Sequence, residues 1–251
     1  MESRDVLRRV SIEFLENRMK NTKDKPILFL TLGFPGSGKT YFSRRFAKDY
    51  DLVHLNSDAI RAKLFSEPKY TQEENKILFR AMDILTDQLL SQGVSVIYDA
   101  NITKKIYRDR LYKIARKNQA TSLLLWFQTS VETARRRLAK RINDGSKSQS
   151  RFQVYVNDEV LSRIKDEEEH PTNREKYIAI NGARSYKKQK ELVEGYLFHS
   201  KKNQLKKTGI HNLDLGISPD AKFSREEIYS YLDEKFNFKN NNESSNLKPN
   251  E

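Results

Sequence analysis

Apolar residues along the chain fall into short continuous runs, separated by longer stretches in which they recur every three or four positions. The runs at 27–32, 52–55, 94–98, 122–127 and 177–180 have the length and Leu/Ile/Val content of buried strands. Stretches of helical period predict helices over 39–49, 58–64, 71–91, 103–117, 131–143, 152–165 and 185–198. Strands that alternate with helices predict an α/β three-layer sandwich: a mostly parallel five-stranded sheet with helices on both faces. Residues 1–25 place Val6, Leu7, Val10, Phe14 and Met19 at roughly helical spacing, an amphipathic helix ahead of a main domain over 26–199. Beyond it the pattern assigns residues 200–236 to an extension with one short helix at 224–236, opened by Ser224 and the acids Glu226 and Glu227. Six of the fifteen residues 237–251 are Asn, which reads as a disordered tail.

Composition narrows this picture. The 251 residues contain no cysteine, which excludes a disulfide framework, a thiolate zinc site and a cysteine nucleophile. No apolar run approaches the roughly 18 residues of a membrane span, and the first ten residues, MESRDVLRRV, lack the apolar core of a signal peptide. The expectation is a soluble, cytoplasmic protein. Lys plus Arg outnumber Asp plus Glu by 47 to 34, a net charge of +13. Such an excess serves solubility or a polyanionic ligand equally well. His54, His170, His199 and His211 show neither an i, i+4 pair nor an HExxH pattern, so the expectation for them is surface or core rather than zinc.

Gly33-Phe34-Pro35-Gly36-Ser37-Gly38-Lys39-Thr40 follows the first strand and opens the first helix of the domain. It satisfies G-x-x-x-x-G-K-[ST], a phosphate-binding loop (P-loop) in which the backbone N–H groups cradle phosphate oxygens. Lys39 then reaches the terminal phosphates and the Thr40 hydroxyl ligates magnesium. Three further groups stand at the ends of later strands. Asp58 and Arg61 share one face of a short helix, where Asp58 would take a hydroxyl proton and Arg61 would hold an acceptor phosphate or the transferring group. The plainer reading of Asp58 is a charge that complements the dipole of its own helix. Asp99, in the strand-end segment Tyr98-Asp99-Ala100-Asn101, sits where a carboxylate holds magnesium through water. Otherwise it caps a turn. In the Arg-rich run 134–141, Arg137 and Arg141 share a face, either as a lid on the donor phosphates or as a solvated basic stripe. The polar run 144–150 reads as the mobile part of such a lid, with Arg151 beyond it.

With GFPGSGKT, LNSDAIR, IYDAN and RRRLAKR in this order, the chain resembles P-loop kinases of the polynucleotide 5′-hydroxyl kinase and zeta-toxin-like group, over residues 26–199. The resemblance implies ATP and magnesium as cofactors, a P-loop fold with an Arg-rich lid, and transfer of the γ-phosphoryl group to a hydroxyl acceptor. It carries the donor site to Gly33, Pro35, Gly36, Ser37, Gly38, Lys39, Thr40, Arg137 and Arg141, with Lys39 and Arg141 also serving catalysis. Asp58 is then the catalytic base, Asp58, Arg61 and Asn101 bind the acceptor, and Thr40 and Asp99 hold the metal. Arg108 matches a recurrent arginine with no assigned role. The acceptor stays open between a polynucleotide 5′ end, favoured by the charge, and a small nucleoside, sugar nucleotide or antibiotic, favoured by similarity at 65–82. A non-catalytic nucleotide-controlled nucleic-acid switch is the alternative class, suggested by the lysines between 187 and 207. Oligomeric state is left open.

Overall fold

A computed structural model describes residues 25–144 and 157–207. Strands β1 (Ile27–Leu32), β2 (Val53–Asn56), β3 (Val96–Asp99), β4 (Thr121–Gln128) and β5 (Tyr177–Asn181) form one sheet in the order β2-β3-β1-β4-β5, every pairing parallel. Helices α1 (Lys39–Asp49), α2 (Ser57–Leu64), α3 (Gln72–Ser91), α4 (Lys105–Lys117), α5 (Val131–Asn143), α6 (Asp158–Asp166) and α7 (Tyr186–Lys207) follow the strands singly or, after β2 and β4, in pairs. This is the α/β fold expected, with the five strands wholly rather than mostly parallel. The expected N-terminal helix, the run 145–150, Arg151, the start of a helix at 152 and the segments from 208 onward lie outside the described residues.

The two faces of the sheet bury different side chains. Leu28, Leu30 and Leu32 point to one face and pack with Ile60 of α2, Leu78, Met82, Leu85 and Leu89 of α3, and Leu111 and Ala115 of α4. Phe29, between them in the pleat, points to the other face. There its ring meets Phe46 of α1 edge-on at 5.4 Å, and Phe46 stacks on Phe42 at 5.0 Å. Because β1 is buried on both faces, its sequence reads as an unbroken apolar run.

A third cluster bears on function. Phe34 leaves the P-loop and buries its ring with Ala134 and Leu138 of α5 and Leu161 of α6. The loop is thereby anchored on α5 as well as between β1 and α1. Contacts divide the chain into a unit Met1–Tyr186, which holds the whole sheet, and a second unit Lys187–Glu251, of which residues up to Lys207 are described.

Candidate active site

All five strands point their C-terminal ends the same way, which places the P-loop, the β2–α2 junction and the β3–α4 loop along one rim. Helix ends around this rim differ in how their first N–H groups are met. Asn56 caps α2 by accepting from Ala59 N–H at 2.9 Å, and Thr71 and Ser130 cap α3 and α5 in the same way. Lys105 N–H at the start of α4 donates to the Glu169 carboxylate at 2.6 Å. Helix α1 has no such partner: Gly38 is its cap residue, no side chain caps it, and its first turn carries no acid. Its amides and dipole are left for an anion. The buried Ser37 hydroxyl likewise has no hydrogen-bond partner among the described residues.

The loop's shape is fixed by close backbone approaches. Gly36 has φ +80, and a Cβ there would lie 2.8–2.9 Å from atoms of Ala134. Around the loop a cleft of ≈ 510 Å³ is lined by Lys39, Thr40, Asp58, Asp99, Asn101 and Arg141. The Lys39 ammonium lies over the loop, donating to the carbonyl oxygens of Gly33 and, at 3.1 Å, of Phe34.

Asp99 is buried and collects three donors: the Thr40 hydroxyl at 3.3 Å, Asn56 Nδ2 at 2.8 Å and His54 Nε2 at 3.0 Å. Burial by itself would raise its pKa. The hydrogen bond and charge of His54, the charge of Lys39 and the Asn56 amide outweigh burial and hold it below the ordinary carboxylate value. A hydroxyl beside a buried anionic carboxylate at the foot of a phosphate cradle fits a magnesium ion, which takes few protein ligands and keeps its waters and the substrate phosphates. No cluster of three or more His, Cys, Asp or Glu residues able to hold a metal occurs among the described residues.

The arginines separate. Arg141 lines the cleft; burial lowers its pKa, against which the charges of Asp58 and Asp99 act. Arg137, expected on the donor phosphates from the same face, is turned elsewhere. Its guanidinium donates to the carbonyls of Gly36 at 3.2 Å, Ser37 at 3.4 Å and Gly182 at 2.8 Å, bracing the loop from behind. Arg61, expected to hold the acceptor, is buried and committed to Glu74 at 3.1 Å and to Asn75, with Tyr70 stacked 4.7 Å away. It joins α2 to α3. Arg108 is fully buried in a bidentate pair with Glu175 (2.7 and 3.2 Å).

Asp58 and Asn101 line the cleft and also line a second cavity of ≈ 870 Å³, bordered by α3 and the start of α4. Ser57 is the third residue common to both. The sequence reading missed His54 and Asn56, which brace Asp99, and Tyr41 and Arg44, which line the cleft. Position alone could have found the first pair: β2 runs beside β3, with Asn56 opposite Asp99 in register.

A family model described as an AAA domain matches residues 28–171. No curated protein sequence matches the chain significantly. Among solved structures, a gluconokinase from Sinorhizobium meliloti 1021 is similar with TM-score 0.52 and 17% identity, over 73% of this chain and 99% of that one. Kti12 from Chaetomium thermophilum, in complex with ADP-AlF3, is similar with TM-score 0.53 and 18% identity, over 68% and 97%. No helix among the described residues is long and apolar enough to cross a membrane.

Proposed function

The chain belongs to the AAA domain family, and from that premise we propose that it is an ATP-dependent kinase that transfers the γ-phosphoryl group to a hydroxyl acceptor. The observation that carries this reading is the position of Asp58, a carboxylate shared by the phosphate-binding cleft and the adjoining cavity. A nucleotide switch has no use for a second cavity joined to the first through a carboxylate. The gluconokinase and the ADP-AlF3-bound neighbour lend the same reading the support of a shared fold.

The donor's phosphates lie in the amides of residues 36–40, and the Lys39 ammonium leaves the loop carbonyls for the β- and γ-oxygens. Arg141 faces the charge that spreads over the transferring group. Thr40 and Asp99 would hold magnesium, which would supply charge neutralisation to the donor's phosphates. The acceptor alcohol enters from the second cavity. Its oxygen forms the new bond to the γ-phosphorus as the bond to the β-bridging oxygen breaks in line, and its proton passes to Asp58. ADP and a phosphate monoester are the products. A polynucleotide 5′-hydroxyl and a small-molecule alcohol both satisfy this chemistry.

The test is a γ-labelled ATP transfer screen over 5′-hydroxyl oligonucleotides, nucleosides and sugars, with ATP affinity measured alongside. Asp58→Asn should lower transfer by about 10²–10⁴-fold, the usual worth of a positioned base, while ATP still binds. Lys39→Ala should lose both. ATP hydrolysis that needs no acceptor and survives Asp58→Asn unchanged would defeat the reading.

A further inference from the structure

The second cavity has a chemical character of its own. Four cations line it: Arg61, Lys76, Arg80 and Arg110. Two are already spent. Arg61 is tied to Glu74 and Asn75, and Arg110 Nε lies 2.6 Å from an Asp83 oxygen. Burial pushes the Asp83 carboxyl up to about 6, which its Arg110 partner only partly opposes. Lys76 and Arg80 have no ion pair, hydrogen bond or ring contact with any described residue. They stand four residues apart on α3, so they share one helix face about 6 Å apart along the axis. Two uncompensated cations so placed are set to grip one multiply charged anion, or two neighbouring charges on one ligand.

The wall beside them is aromatic. Phe79 and Tyr107 lie in parallel planes (3°) with ring centroids 6.0 Å apart, and Tyr107 is more than a third exposed. Both rings border the cavity, as does Tyr70. A ligand here would meet apolar faces over its carbon frame and cations at its charged end. A volume of ≈ 870 Å³ is the size of a small-ligand pocket.

We propose that this cavity holds the acceptor and that the acceptor is an alcohol already bearing a phosphate group, gripped by Lys76 and Arg80 while its hydroxyl reaches Asp58. The name acceptor rests on the kinase reading above; the phosphate site does not. Lys76 and Arg80 are specificity residues under this assignment, because they touch the part of the molecule that does not react. The phosphate could be that of a free phosphorylated metabolite or the first phosphodiester of a strand end. The chemistry of the grip is the same for both.

The experiment compares paired probes on the full chain: glucose 6-phosphate against glucose, a nucleoside 3′-phosphate against the nucleoside, and a dinucleoside monophosphate for the strand source. Binding is measured by calorimetry in the presence of a non-hydrolysable ATP analogue, and transfer by labelled ATP. At least one phosphorylated probe should bind at least tenfold more tightly than its neutral partner. Lys76→Ala and Arg80→Ala should each weaken that probe about 10–100-fold, the usual worth of a charge-assisted hydrogen bond. Lys113→Ala, an equal loss of charge outside the cavity, should not. Preference for the dinucleoside monophosphate over the nucleoside 3′-phosphate would assign the source to a strand, and the reverse to a free metabolite. Binding that depends on Lys76 and Arg80 without any transfer keeps the phosphate site and removes the kinase reading. Transfer to alcohols with no advantage from phosphate, or indifferent to both substitutions, overturns the phosphate site and leaves the kinase reading standing.

Discussion

Four arginines, all on helices, end in four different settings. Arg141 faces the cleft, Arg137 braces the loop carbonyls, Arg61 bolts α2 to α3, and Arg108 is sealed inside. Arg108 spends its donors on Glu175, on the carbonyls of Ile102 and Thr103 at 3.3 and 3.1 Å, and on that of His170 at 3.5 Å. Burial would raise the Glu175 pKa, but Arg108, the Thr172 N–H and the Tyr112 hydroxyl hold it below the ordinary value. The pair fastens the segment before β5 to the start of α4. Arg108→Met strands that carboxylate in the interior and should cost about 3–5 kcal/mol. Adding Glu175→Gln should restore part of the loss, because the remaining group is then neutral. Urea unfolding of the two single variants and the double measures this, and a double variant no more stable than Arg108→Met would refute the pairing as the source of the cost. None of this was legible from the arginine alone. Spacing along a helix tells which residues share a face, whereas the acid that decides Arg108's role lies 67 positions away.

At the scale of elements, the motifs were readable because chemistry there demands a local residue order. Gly36 and Lys39 stand where a strand turns into a helix, and the apolar run before them is β1 with unchanged bounds. Boundaries shifted where a cap or turn intervened: Asn56 starts α2 one residue early, and the turn at Gly93 delays β3 to Val96. What the pattern could not disclose is a support that arrives from the last strand. Gly182 follows β5, and a Cβ built there falls 2.1 Å from Thr129 Oγ1 and 2.2 Å from the Ser37 carbonyl oxygen. The Gly182 carbonyl also receives Arg137, which holds the same loop. Gly182→Ala must therefore push the β5 end away from the P-loop and slacken the amide cradle. ATP affinity, followed by calorimetry, should fall at least tenfold. Retention of full affinity would mean that the end of β5 does not set the loop's shape.

Across the whole molecule the charge is +13, yet a surplus of that size says nothing about where a ligand feels it. The second cavity limits the question. Of its four cations two are compensated, so an acceptor bound there should neutralise no more than about two charges on binding. Counterion release then sets the salt response. Single-stranded nucleic acid loses affinity with a log–log slope of about −0.7 per phosphate neutralised, so one phosphodiester gripped by Lys76 and Arg80 gives a slope of about −0.7, and two neighbouring ones about −1.4. A strand that drew on the basic surface at large would give a slope several times steeper. Acceptor KM measured from low to moderate salt should therefore follow the shallow line, with KM for ATP as the internal reference. A steep slope would show that cations outside the cavity carry acceptor binding, and the net charge, rather than the pair on α3, would then be the feature that selects the acceptor.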